Sequence, residues 1–372
     1  MLAVQLKREG LHLVTDYPVP DPSDGEALIS VLRAGICNTD LEIVEGYKNF
    51  FGILGHEFVG RVVRCSSAPD LVGKRVCGEL NISCGKCSIC KGGNSQLARS
   101  HCPRREALGI LHRDGAFSQF ITLPVANLHT IPSCISDEQA VFVEPLAAAC
   151  RIVEQLKVTP NTSVAIIGDG KLGLLVAMVL HEKARVTLIG KHPKKLHLVS
   201  DLVQHTFTLE AALQCLQQGE EPKKPPSVKT GTVCVEQHSP AALAKRSFEI
   251  VVEACGSSSG LELALELVQA MGTIVLKTTR SAGKDVISLH QNVLVVNEIR
   301  IMGSRCGPFP AALQLLQQEQ PPPVCRLLQK TYPLEDALAA IDFAKQAGTL
   351  KIQLKMPERT AAVEQQLHHP AQ

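Results

Sequence analysis

A β-rich domain joined to a doubly wound α/β domain is the fold class that the sequence predicts, and three observations carry that prediction. Roughly the first 150 residues are rich in short β-type runs, such as Ala27-Leu-Ile-Ser-Val-Leu and Phe58-Val-Gly-Arg-Val-Val, broken by Gly, Pro and Asp. From Ser163 onward the texture changes, and apolar runs alternate with helical patterns. Directly after the first of those runs comes a glycine-spaced turn, Gly168-Asp169-Gly170-Lys171-Leu172-Gly173.

Each element of the second half has its own justification. Val164-Ala-Ile-Ile, Arg185-Val-Thr-Leu-Ile, Phe248-Glu-Ile-Val-Val-Glu-Ala, Thr273-Ile-Val-Leu-Lys and Ile299-Arg-Ile-Met read as buried parallel strands. The helical patterns Leu172–Leu180 and Leu261–Val268 lie between them, which gives a sheet covered on both faces. Residues 217–231 are polar and Pro-rich and read as an exposed loop insertion, and residues 361–372 as a frayed tail. No internal repeat is visible.

Composition bounds the function. A chain of 372 residues is long enough for two domains with real cores. With 45% hydrophobic residues, 20% charged residues and a net charge of +2, it is neither a disordered chain nor one committed electrostatically to nucleic acid or anionic membrane. Aromatic residues make up 3% and Trp is absent, which argues against base-stacking surfaces. No apolar run reaches membrane-spanning length, and Met1–Lys7 lacks the form of a secretory leader. The expectation is a soluble, cytoplasmic protein with no nucleic-acid or membrane partner. In that setting 14 cysteines point to thiols and metal rather than disulfides.

The glycine turn has dinucleotide-binding form. Gly168 permits a tight turn, Gly170 lets the backbone approach a pyrophosphate, and Gly173 lets helix pack on strand. Lys171 and Leu172 open a helix whose unpaired N–H groups face the phosphates. The end of the next strand selects the cofactor, because NAD-binding chains place Asp or Glu there to accept from the ribose hydroxyls. Here the place reads Leu188-Ile-Gly190-Lys191-His192-Pro-Lys194-Lys195, without a carboxylate. Gly190 is expected to leave room, and Lys191 and His192 begin a cationic run suited to a 2′-phosphate, so NADP(H) is favoured over NAD(H). A solvated basic helix start is the plainer reading of the same residues.

Two groups of metal-type residues stand in the first half. Cys84, Cys87 and Cys90 repeat a Cys-x-x-Cys spacing, and Cys102 follows after eleven intervening residues. Four thiolates saturate a tetrahedral zinc and leave no position for a substrate, so this group is a structural clip. His101 is an alternative fourth ligand. A catalytic zinc needs three protein ligands and an open position. Cys37 in Gly35-Ile-Cys-Asn-Thr-Asp, His56 in Gly-His-Glu and Glu144 in Val-Glu-Pro-Leu-Ala offer a thiolate, an imidazole and a carboxylate. Taken singly, Cys37 reads equally as a small buried hydrophobe, His56 as a hydrogen-bonded core residue and Glu144 as a loop charge.

In combination these motifs resemble the zinc-dependent medium-chain alcohol dehydrogenases, and they occur in that superfamily's order. The carboxylate at Glu144 resembles its polyol and sorbitol dehydrogenase side. The resemblance spans roughly residues 2–355 and implies a GroES-like catalytic domain around an inserted Rossmann cofactor domain. The implied divisions are residues 1–145 with the zinc lobe 84–102, then 146–304, a return to the catalytic domain over 305–356, and a tail over 357–372. Carried over, Cys37, His56 and Glu144 match the catalytic zinc ligands, and Glu57 a carboxylate able to approach the metal. Asp40 matches the acid that orients the ligand His, and Thr39 the hydroxyl that bonds the substrate alcohol and relays its proton. Two zincs per chain and a homodimer or homotetramer are implied.

The chain also departs from the pattern. The gap between Cys90 and Cys102 is longer than usual, and Glu42 stands where some members carry a proton-relay His. The segments Gly303–Phe309 and Leu276–Thr279 resemble a poorly characterised branch, so the substrate is left open. The implied activity is hydride transfer between an alcohol or polyol, or the matching carbonyl, and a nicotinamide cofactor. Two rivals are a zinc-free quinone or enone reductase and a non-catalytic dinucleotide-binding protein. The three metal-type residues argue against both, since neither needs them.

Overall fold

The computed structural model describes residues 1–218, 243–278 and 291–357. The loop insertion expected over 217–231 lies outside these residues from 219 onward, as does the tail expected over 361–372. Two compact units emerge, Met1–Ala147 together with the chain from Pro308, and Ala148–Gly307.

The first unit is built on a seven-stranded sheet. Its central strand, Glu26–Ile36, pairs antiparallel with Glu57–Arg64 on one side and with Lys351–Lys355 on the other. Phe120–Pro124 also pairs with it, and Arg75–Gly78, Leu128–Thr130 and Leu328–Pro333 extend the sheet. Ala27, Ile29, Val31, Val59, Val62, Ile352 and Leu354 are buried along these strands and form its core. The strand Lys351–Lys355 is therefore stitched beside residues more than three hundred positions earlier in sequence, such as Ile36 opposite Ile352.

The second unit is a six-stranded sheet in which every pairing is parallel. Numbered by chain order within the unit, its strands run 3-2-1-4-5-6: His205–Thr208, Arg185–Gly190, Ser163–Ile167, Phe248–Glu253, Val268–Leu276 and Arg300–Gly303. That order is the doubly wound dinucleotide topology, whose ligands bind at the carboxyl ends of the strands where the order reverses. The reversal falls between Ser163–Ile167 and Phe248–Glu253, directly where the glycine turn begins. His205–Thr208 is the strand that the sequence pattern misses, because His-Thr-Phe-Thr is short and half polar. The helix Lys171–Leu180 buries every residue from Gly173 onward, which accounts for its nearly unbroken apolar sequence.

The three glycines of the turn meet different demands. Gly168 adopts φ +120, a conformation that side chains resist. A Cβ at Gly170 would meet nothing within 4 Å, so the backbone there is open to a ligand. A Cβ at Gly173 would run into the Gly168 carbonyl oxygen, so helix and strand approach only because it is absent. Gly173→Ala is accordingly expected to destabilise the protein by about 1–3 kcal/mol through overpacking. A urea titration against wild type checks it, with an unchanged midpoint the contrary result.

Candidate active site

Helix Asn38–Val44 starts immediately after Cys37, at the end of the central strand, and half-buried Thr39 lies in its first turn. Asp40, also in that turn, is 1% exposed. Its Oδ2 accepts from the Cys37 N–H at 2.8 Å, and its Oδ1 accepts from the Gly55 N–H at 3.2 Å. The same Oδ1 stands 3.2 Å from Nδ1 of buried His56. The ring's other nitrogen is thus left for the Cys37 side. Burial opposes a charge on His56, but the Asp40 carboxylate and then the Cys37 thiol outweigh it and hold the imidazole pKa well above its ordinary value. This pocket favours a cation.

The ligand atoms of Cys37, His56 and Glu57 lie within 4.8 Å of one another. A thiol, an imidazole and a carboxylate, with the imidazole braced from behind by Asp40, is a donor set that fits zinc. Glu144, the third ligand expected from sequence, lies outside that group, half-buried in the first turn of the helix Val143–Gln155. It is nonetheless close enough for its charge to bear on Lys351.

Lys351 is the site residue that sequence reasoning missed. Both it and Glu57 are 1% exposed, and its Nζ donates to Glu57 Oε2 and to the Ile36 carbonyl at 3.4 Å. Burial opposes the ammonium charge, and Glu57, Cys37 and Glu144 together raise its pKa above 10.5. Gly35 makes the arrangement possible, because a Cβ there would collide with Glu57 Oε2. Polar–apolar alternation in Lys351-Ile-Gln-Leu-Lys reads as a strand with Lys351 on its solvated face, whereas Lys351 through Leu354 are all buried.

The four-cysteine lobe lies beside a small sheet of Asn81–Ile82, Glu106–Leu108 and His112–Arg113. Cys84, Cys87, Cys90 and Cys102 converge, with sulfur separations of 3.3 Å for Cys87–Cys90 and 3.8 Å for Cys87–Cys102. Cys102 is buried at the end of helix Ser95–His101, whereas His101 is exposed and outside the group. The open choice of fourth donor thus falls to the thiol. The Lys86 backbone N–H, first among several donors, draws the Cys84 thiol down to about 6. That favours the thiolate a metal binds. The donor set fits a structural zinc.

In the cofactor unit, Gly168, Gly170 and Gly173 form the turn described above, and Lys171 and Leu172 open the helix. Gly170 at the N-cap offers no side-chain cap, and the open backbone there fits a pyrophosphate at the helix N-terminus. Lys191 and His192 are exposed just beyond the second strand. The room expected above Gly190 is absent. A Cβ there would lie 2.5 Å from Asp169 Cβ and 2.8 Å from its Oδ2, because the glycine turn folds its own carboxylate into that space. An acid introduced at position 190 therefore has nowhere to go.

Residues 23–133 match the family described as Alcohol dehydrogenase GroES-like domain. Sorbitol dehydrogenase of Bacillus subtilis is 30% identical over 321 residues, covering 82% of each chain. The starvation-sensing protein RspB of Escherichia coli is 26% identical over 358 residues, covering 93% of this chain and 96% of that one. Among solved structures, one described as a zinc-binding dehydrogenase of Sinorhizobium meliloti bound to NADP superposes with a TM-score of 0.77. It is 26% identical and covers 95% of this chain and 98% of its own. The chain belongs to the zinc-dependent medium-chain alcohol dehydrogenase superfamily, with a GroES-like unit and a Rossmann unit. It is an oxidoreductase of the alcohol dehydrogenase type. Among the described residues no helix is long and apolar enough to cross a membrane.

Two outcomes are expected here. Asp40→Asn removes the charge behind His56 and should lower zinc affinity by about 10–100-fold, measured by chelator competition. Lys351→Met leaves Glu57 buried without a partner and should cost about 3–5 kcal/mol in urea unfolding. Because the folded pKa of Lys351 is raised, its contribution is full below pH 10.5 and is lost as pH climbs through the raised value. The gap between wild type and Lys351→Met should therefore narrow only in that alkaline range.

Proposed function

We propose that the protein is a zinc-dependent dehydrogenase that moves hydride between an alcohol or polyol, or the matching aldehyde or ketone, and a nicotinamide cofactor, with NADP(H) preferred. The observation that supports this most is the convergence of the half-buried Cys37 thiol with the buried His56 imidazole, an imidazole that Asp40 braces from behind. Bound there, zinc would supply Lewis acidity that acidifies an alcohol hydroxyl and polarises a carbonyl.

The protein's own groups have separable tasks in this reading. Cys37 and His56 hold the metal, and Asp40 fixes the imidazole's orientation from the other side. Glu57 is paired with Lys351, so the second anionic ligand is assigned to Glu144 rather than to Glu57. Thr39, in the first turn after Cys37, would relay the proton of the substrate hydroxyl, accepting it as it gives its own hydroxyl proton onward toward water. Cys84, Cys87, Cys90 and Cys102 hold a second zinc that clips the lobe and meets no substrate. A polyol substrate is supported by the carboxylate at Glu144 and by the sorbitol dehydrogenase similarity. Lys191 and His192 support NADP(H), as does the NADP held by the Sinorhizobium relative. We read the protein as cytoplasmic and as a homodimer or homotetramer, which light scattering checks.

Metal counting tests the assignment. Wild type should contain two zincs per chain. Glu144→Ala should lose the catalytic zinc and turnover while keeping the lobe zinc and NADPH binding, and Glu57→Gln should keep both zincs. If Glu144→Ala retains two zincs and Glu57→Gln loses one, Glu57 is the ligand instead. Cys37→Ser should abolish turnover in a folded protein with one zinc, whereas Cys87→Ser should lose stability together with the lobe zinc.

A further inference from the structure

The strand end that reads the ribose in dinucleotide folds has no acid of its own here, yet a carboxylate occupies its place. Asp169, between Gly168 and Gly170, is 7% exposed. Its Oδ2 accepts from the His192 N–H at 2.6 Å and lies 3.0 Å from His192 Nδ1. A Cβ built on Gly190 would meet Asp169 at Cβ, Cγ and Oδ2, all within 2.8 Å, so one side-chain volume is shared by the two positions and Asp169 fills it. Oδ1 has no hydrogen bond within the described chain, which leaves one carboxylate oxygen for a ligand. Around it, exposed Lys191 and Lys194 supply cations, and the half-exposed His192 ring supplies a hydrogen-bonding edge.

We infer that Asp169 is the specificity-determining residue for the cofactor's adenosine ribose: it accepts from the 2′-hydroxyl of NAD(H) and opposes the 2′-phosphate of NADP(H). The acid that usually stands on the second strand has been moved to the glycine turn, and Gly190 is the matching concession that lets it fit. The pocket therefore holds opposed elements. Lys191 and Lys194 attract a phosphate, while the Asp169 carboxylate repels it. Both cofactors should bind, with the NADP(H) preference set by the lysines held to a narrow margin by Asp169 and adjustable at that position.

The inference rests on the reading of the chain as a nicotinamide-dependent dehydrogenase, and the experiment separates the two. NADH and NADPH are each titrated into the zinc-loaded protein, and Kd is read from calorimetry or reduced-nicotinamide fluorescence, without turnover. Asp169→Asn keeps an oxygen to accept from the His192 N–H and removes the charge. It should shift the ratio of the two Kd values toward NADPH by tenfold or more, with NADH binding weakened. Asp169→Ser, which also removes the carboxylate, should shift it the same way and guards against a folding defect in the first variant. An unchanged ratio, or one that moves toward NADH because Asp169 serves only to hold His192 against a phosphate, overturns the inference. Lys191→Ala should weaken NADPH alone, and if it does not, the basic-cluster reading fails while the Asp169 result stands. Failure of wild type to bind either cofactor would overturn the dehydrogenase reading and this inference with it.

Discussion

The buried carboxylate of Asp40 accepts the Cys37 N–H and the Gly55 N–H while standing 3.2 Å from His56 Nδ1. The thiol ends one strand and the imidazole sits just before the next, so neither backbone segment alone would aim its side chain at the other. One acid fixes both. It also fixes which nitrogen of the ring is left to face Cys37, the orientation that an imidazole ligand requires. A carboxylate this deeply buried is tolerable only because its oxygens find these partners, so the local fold and the metal-type group depend on the same three contacts.

Around that bridge the charge balance is set by elements far apart in the chain. The Lys351–Glu57 pair joins residues 294 positions apart, on strands that flank the central strand on opposite sides. Cys37, Glu57 and Glu144 all press on the Lys351 ammonium. Anionic groups gathered at one place repel one another, and a fixed internal cation offsets that repulsion. Gly35 is small because Glu57 must cross it to reach Lys351. The sheet thus brings these groups near one another and also supplies a buried cation among them.

The cofactor unit follows the same logic with different parts. Three glycines shape the turn, each for a separate steric reason, and the helix behind them turns its N-terminal, partially positive end toward an anion. Asp169 turns inward over Gly190, so the charge seen at the end of the second strand belongs to a residue twenty-one positions earlier in the chain. Position in sequence and position in the pocket are different things here.

The sequence by itself determined the doubly wound half, because buried parallel strands read as continuous apolar runs and the glycine turn has local geometric requirements. It also determined the four-cysteine lobe, where Cys-x-x-Cys spacing leaves thiols few other ways to converge, although His101 against Cys102 stayed open until burial separated them. His205–Thr208 escaped because a short, half-polar strand carries too little periodic signal. The tertiary structure alone decided the placement of Lys351, the grouping of Glu57 rather than Glu144 with Cys37 and His56, and the filling of the space above Gly190 by Asp169. Those three facts are pairings of charge across sheet neighbours or between a turn and a strand end. They depend on which backbones the fold brings within a few ångströms, and no local pattern of residues encodes that distance.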